Sequence, residues 1–292
     1  MKDTAEATLK DCTIRNCRAL DYGGGIYMES DGNSLNCENV NTLACTANGD
    51  QGGGVYQNRG ETRWVGGAVS YCRAEADDGG GFYHHRGTVR MQDVVFEGNY
   101  SEDYGGAIYA DSDDGLWLIG CTMKRNSAED AGGAVYSYYN DMYLKDCSIT
   151  ANATGGEGGG LYIDSPGSIG VAGKTVIREN DGVGTMDNLV IENGAVIYDH
   201  GLEPDSEIRL RSDSDGNVKL GKTLTSAYQL KEYFRADYGK LELADTETVD
   251  TELRASVFSD GRAVLFIGAM IIIAVMAGGF VCNRKRRKGE KQ

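Results

Sequence analysis

"GGAIYADSDDGLWLIGCTMKRNSAEDAGGAVY", residues 105–136, opens and closes on nearly the same five letters. The motif occurs six times: "GGGIY" at 23, "GGGVY" at 52, "GGGFY" at 79, "GGAIY" at 105, "GGAVY" at 132 and "GGGLY" at 158. Successive copies are 29, 27, 26, 27 and 26 residues apart. Self-similarity at a period of 20–50 residues is the mark of a solenoid or array. A helical repeat needs an apolar period near 3.6 and few glycines. Here the apolar runs are short, partly alternating and rich in Val, Ile and Tyr, with Gly, Asn and Asp between them. Two or three such runs per unit suit one coil of a parallel β-helix, each strand pairing with its copy in the next coil.

Like residues then stack on like, one rung every ~4.8 Å. The paired glycines serve a sharp corner. In the run that follows, alternation sends Ile26, Val55, Phe82, Ile108, Val135 and Leu161 to one face, predicted to be the inside. Tyr27, Tyr56, Tyr83, Tyr109, Tyr136 and Tyr162 take the outer face. A second half-motif places an apolar residue three before an asparagine: Phe96/Asn99, Met123/Asn126, Ile149/Asn152 and Ile177/Asn180. Asparagines at one fixed turn predict a ladder of amides. The first unit has Ile14 and Cys17 there, and the second is read as Leu43 and Thr46.

The pairing of Gly105-Gly-Ala-Ile108 with Phe96–Asn99 resembles the repeat of polymorphic outer membrane proteins. That resemblance covers roughly residues 9–180. It implies a right-handed parallel β-helix of the pectin-lyase-like kind and, for many members, a surface adhesin. Autotransporter members end in a membrane β-barrel. This chain ends differently, in "AVLFIGAMIIIAVMAGGFVC" at 263–282, which carries no charge, followed by Arg284, Lys285, Arg286, Arg287 and Lys288. Such a run reaches ~30 Å as a helix, the thickness of a bilayer core, and basic residues stay on the cytoplasmic side. The expected topology is a single-pass anchor with an extracellular body, as in adhesin-like proteins of Gram-positive bacteria. The expected domains are a β-helix over 1–184, irregular capping coils over 185–258, a transmembrane helix over 263–282 and a basic cytoplasmic tail over 283–292. "MKDTAEATLKDC" contains no export signal, and the first coil has no cap before it, so an N-terminally truncated sequence is expected.

Composition narrows the function classes. Of 292 residues, 42 are Gly and only 2 are Pro, and 40% are apolar, enough for a core without a Pro/Gly-rich disordered tract. The net charge of −15, with the basic cluster confined to the tail, leaves an acidic body that repels nucleic acid and attracts cations or basic partners. Asp21, Asp50, Asp77, Asp103 and Asp130 each lie two residues before a Gly-Gly. Stacked at ~5 Å, neighbours would repel by about 1 kcal/mol in water-like surroundings. Ca²⁺ bridging between rungs is one reading, and capping of each glycine turn is the other. No other cofactor is expected. The tyrosine column, about 24 Å long over six rungs, is either a ligand face for a glycan or protein or a set of cross-strand pairs.

Among eight cysteines, Cys12, Cys121 and Cys147 share a phase and are read as small buried hydrophobes; none shows zinc spacing. Asn99 in "NYS" and Asn152 in "NAT" match a glycosylation acceptor, but both are ladder positions. His84 and His85 have no second cluster to make a metal site with. The expected function is non-catalytic adhesion or display. The alternatives are a polysaccharide lyase or glycoside hydrolase, for which coils of 26–29 residues leave little loop, and a passive spacer.

Overall fold

A computed structural model of the chain describes residues 5–112, 114–164, 166–192, 195–212, 217–220, 233–237, 242–245, 257–258, 262–267 and 270–274. They form two compact units, 1–247 and 248–292.

The first unit is a parallel β-solenoid. The coil that begins at Gly105 shows the plan. Its strands are Ile108–Asp111, Leu116–Ile119, Thr122–Lys124 and Ser127–Ala128. Alternation turns Ile108, Ala110, Leu116, Leu118 and Met123 inward, each no more than 1% exposed. Every strand pairs in parallel with its copy one coil on: Ile108 with Val135, Leu116 with Met142, Met123 with Ile149 and Ala128 with Thr154. Three ladders result. One begins at each Gly-Gly, a long one follows and bends once, and a two-residue ladder closes the coil. The core is the space they enclose. Each buried Leu, Ile or Phe contributes about 1.5–3 kcal/mol.

The two glycines of the motif do different work. Gly105 has φ +68°, the left-handed region that turns the chain out of the short ladder. A Cβ on Gly106 would sit 2.3 Å from the Gly133 carbonyl oxygen and 2.4 Å from that of Ser127. The second glycine lets one coil lie directly on the next. The third position is less demanding, and Ala107 and Ala134 occupy it.

The predicted amide ladder is present and buried. Asn126 Nδ2 donates to Asn152 Oδ1 at 2.9 Å, and the same link joins Asn99 to Asn126 and Asn152 to Asn180, each 2.9 Å. Backbone N–H groups of Asn99, Asn126 and Asn152 donate to the same oxygens at 3.0 Å. The column runs on through Asn188 and ends on the Asp237 carboxylate, 2.7 Å from Asn188 Nδ2. The register corrects one sequence assignment. Ile14 pairs with Thr42 and Thr42 with Val69, so the second coil's members are Thr42 and Cys45, not Leu43 and Thr46. Cys17, Cys45 and Cys72 therefore continue the asparagine column.

Past residue 184 the parallel pairing continues, with Leu161 on Leu189, Ile169 on Ile197, Ile177 on Ile208 and Val218 on Leu243. Where described, the residues of the expected capping segment are thus further rungs. The short ladder ends earlier, where Asp181–Gly182 takes an antiparallel partner, Thr185–Met186.

The second unit departs from the predicted transmembrane helix. Arg262–Ile267 and Met270–Ala274 are antiparallel strands, with Val257–Phe258 beside the first. Ile271, Ile272 and Ile273 are β-branched, and a run of this composition reads equally as strand or helix. The rest of 263–282 and the basic tail 283–292 lie outside the described residues. Among the described residues no helix is long and apolar enough to cross a membrane.

Candidate functional site

All five neighbouring pairs of the predicted tyrosine column are made across the first ladder: Tyr27–Tyr56, Tyr56–Tyr83, Tyr83–Tyr109, Tyr109–Tyr136 and Tyr136–Tyr162, each in register. These five links join all six residues. Ring centroids are 5.4, 5.1, 4.9, 5.5 and 5.2 Å apart with interplanar angles of 10° or less. The rings face outward, as the alternation requires, yet they are not an open aromatic surface. Tyr56 and Tyr83 are each 8% exposed. Each ring's faces lie against its neighbours, and Tyr22 and Tyr104 lean on the column at 4.7 and 4.6 Å from Tyr56 and Tyr136. Edges and hydroxyl groups are what remains for a ligand. Burial pushes the Tyr56 phenol up to about 12. It raises Tyr83 and Tyr109 further, with the Asp78 carboxylate adding to the effect, so all three stay neutral donors at physiological pH.

Beside the column runs the acidic corner. Asp77, Asp78 and Asp103 bring carboxylate oxygens within 4.8 Å of one another. The corner is fixed by backbone turns, because Asp78 directly precedes a Gly-Gly and Asp77 and Asp103 each lie two residues before one. Asp77 Oδ1 accepts the Asp78 N–H at 2.9 Å, and its Oδ2 accepts from Gln51 Nε2 at 2.7 Å. Asp78 Oδ1 accepts the Tyr104 N–H at 3.0 Å. Ser101 Oγ donates to the Asp77 and Tyr104 carbonyls at 2.9 and 2.8 Å. Asp78 is buried, and burial, reinforced by the charge of Asp77, pushes its carboxyl up to about 8. Asp103 is raised by partial burial and then by Asp77 and Asp130 on either side.

The five predicted aspartates are thus in phase but not equivalent. Asp77 and Asp103 belong to the cluster, with Asp130 near Asp103. Asp50 bonds the Tyr22 hydroxyl and Asp130 that of Tyr104, while Asp21 is exposed at the first corner. The third member of the cluster, Asp78, is not in the predicted series. It stands where other coils carry Tyr22, Gln51, Tyr104, Ala131 or Glu157, and its only signal in the sequence is the doubled aspartate. Three carboxylates are the right donors for a hard cation. Ca²⁺ takes six to eight oxygens, so carbonyl groups or water would have to complete its shell.

Capping within the turn is also seen, at Asp77, whereas Asp78 accepts its N–H from the next coil. His84 and His85 do not converge. His84 is fully buried, its Nε2 2.6 Å from the Gly87 carbonyl, while His85 Nδ1 meets Asp111 Oδ2 at 3.0 Å. Asn99 and Asn152 are no more than 1% exposed and spent on the ladder.

A family model described as "Right handed beta helix region" matches residues 1–176. No curated protein and no solved structure matches the chain.

Proposed function

From a chain that belongs to the right-handed β-helix family, we propose a non-catalytic surface protein, held to a membrane by residues 263–282, that binds a glycan or a protein along its Tyr/Asp face. The observation that carries this reading is the unbroken outward column from Tyr27 to Tyr162, bordered on one side by Asp77, Asp78 and Asp103. A row of neutral phenol donors beside a row of carboxylates suits an extended, hydroxyl- or amine-bearing ligand recognised by hydrogen bonds at its edge. Stacking of sugar faces on the four inner rings, Tyr56 to Tyr136, is not available, since their neighbours cover both faces. The likeness of the Gly-Gly-aliphatic and Phe96–Asn99 motifs to the polymorphic outer membrane protein repeat supports adhesion over catalysis. Ca²⁺ at the acidic corner belongs to the same proposal, as the ion that would hold Asp77, Asp78 and Asp103 together once Asp78 is ionised.

The test is binding of the purified body to glycan and matrix-protein arrays, with Tyr83→Phe/Tyr109→Phe as the comparison. The double variant keeps the ring column and removes two donors. Binding that falls at least ten-fold with an unchanged melting temperature supports the reading. Loss of stability without any array signal in the parent turns it to the second reading, a passive spacer. That alternative is favoured by the mutual coverage of the ring faces, which is what cross-strand stabilisation alone requires.

A further inference from the structure

The register that places cysteines in the asparagine column has a chemical consequence. Cys17, Cys45 and Cys72 stand one above the other in three successive coils. Thr46 N–H donates to the Cys17 carbonyl and Arg73 N–H to the Cys45 carbonyl, both at 2.9 Å, so the backbones are directly stacked. Cys45 Sγ lies 3.8 Å from the Ile14 carbonyl oxygen and 3.6 Å from that of Leu43. Cys72 Sγ repeats this one coil on, 3.7 Å from Thr42 and 3.5 Å from Ser70. The thiols take the place that asparagine Nδ2 atoms take below them, and each thiol is in side-chain contact with the next. All three are free. Cys17 is exposed, whereas Cys45 and Cys72 are 0% exposed.

We propose that Cys17 and Cys45 form a thiol-modification site that accepts a small-molecule disulfide and resolves it into a disulfide between rungs. Stacked rungs hold Cα atoms about 4.8 Å apart, inside the 4.4–6.8 Å that a disulfide spans. The exposed Cys17 thiolate attacks one sulfur of the small disulfide, forming a mixed disulfide and expelling the first small thiol. The Cys45 thiolate then attacks Cys17 Sγ; the Cys17–Cys45 bond forms and the second small thiol leaves. Two protein thiols are oxidised, one small disulfide is reduced, and the two thiol protons end on the two released thiols. Slight desolvation and the neighbouring Cys45 hold the Cys17 thiol above its ordinary range, so the reaction is run at pH 8.5. The second stacked pair is an internal control. Cys121 and Cys147 adjoin in the same way, but they are 1% and 2% exposed, and neither offers an entry.

The folded full chain is treated with oxidised glutathione, and products are located by mass spectrometry after alkylation. Expected is a Cys17–Cys45 cross-link with two glutathione thiols released per chain and no retained adduct. In Cys45→Ser the adduct should persist on Cys17. In Cys17→Ser, a change at an exposed position that leaves the core intact, Cys45 and Cys72 should react at least ten-fold more slowly. Cys121 and Cys147 should stay reduced until urea is added. A stable adduct on Cys17 in the parent chain, an inert Cys17, or a cross-link formed as fast in Cys17→Ser overturns the proposal. None of these outcomes depends on the ligand reading of the tyrosine face.

Discussion

Asp78 is the residue at which the acidic corner departs from simple turn capping. Its side chain takes the Tyr104 N–H and is otherwise enclosed, which pushes its carboxyl up to about 8 from an ordinary 3.8. The folded state therefore holds the proton more tightly than the unfolded chain. Between pH 4 and 8 the unfolded state has lost that proton and the native state has not, so stability falls as pH rises through this window and levels off above it. Asp78→Asn keeps an oxygen for Tyr104 N–H and removes the charge. Thermal melts should show the variant above the parent at pH 8.5 and equal to it at pH 4. A cation at the corner changes the sign of the comparison. Ca²⁺ should raise the parent's Tm more at pH 8.5 than at pH 5.5, where protons compete, and the gain should vanish in Asp78→Asn and Asp103→Asn. Sodium chloride at equal ionic strength measures plain screening of the carboxylates. A calcium gain no larger than that control removes the ion from the account.

At the scale of the elements, the ladders explain what could be read from the letters and what could not. The Gly-Gly corner was legible because two separate demands, φ +68° at Gly105 and a 2.3 Å approach at Gly106, leave only glycine. The asparagine column was legible because an amide both donates to and accepts from its own copy, and it recurs at one spacing from the next Gly-Gly. A buried ladder is also unforgiving. Asn126→Ala leaves Asn99 without its acceptor and Asn152 Oδ1 without one of its donors, so a loss of about 3 kcal/mol is expected in urea unfolding. A thiol in the same column gave no such signal, which is why the second coil is misread by one residue. A further corner was hidden for the opposite reason. Asn16, Ala44, Tyr71, Arg125, Ala151 and Glu179 all have φ between 50° and 58°, and only Gly98 and Asn16 in the series are residue types that mark such a conformation. The neighbouring coils over-determine the turn, so the left-handed cost of about 1–2 kcal/mol is tolerated there. Ala151→Gly should recover roughly 1 kcal/mol, less the unfolded-state entropy that glycine adds. A destabilised Ala151→Gly would place the strain elsewhere.

For the whole molecule, stacking made a periodic sequence readable from one unit, because every coil repeats the same pairing in the same phase. Features that do not repeat were the ones missed: Asp78 at one corner, His84 and Gln57 in the inward column of the first ladder, and Cys45 and Cys72 in the asparagine column. The two ends of the chain also carry unlike charge: an acidic solenoid, and an uncharged run over 263–282 followed by five basic residues, Arg284 to Lys288. An apolar run of this length with a basic flank fixes orientation across a bilayer, since moving the cluster through the hydrocarbon is costly. The expectation is that the full chain, produced in cells with an export signal supplied, remains in the membrane fraction at high pH. Protease added outside should remove the solenoid and spare the tail. Deleting 263–292 should release the body into the medium, and Arg284, Lys285, Arg286, Arg287 and Lys288 changed together to Glu should weaken the orientation without abolishing membrane retention. Extraction of the parent by alkaline carbonate would mean that 263–282 does not span, and the antiparallel strands Arg262–Ile267 and Met270–Ala274 would then be the structure the run keeps in water.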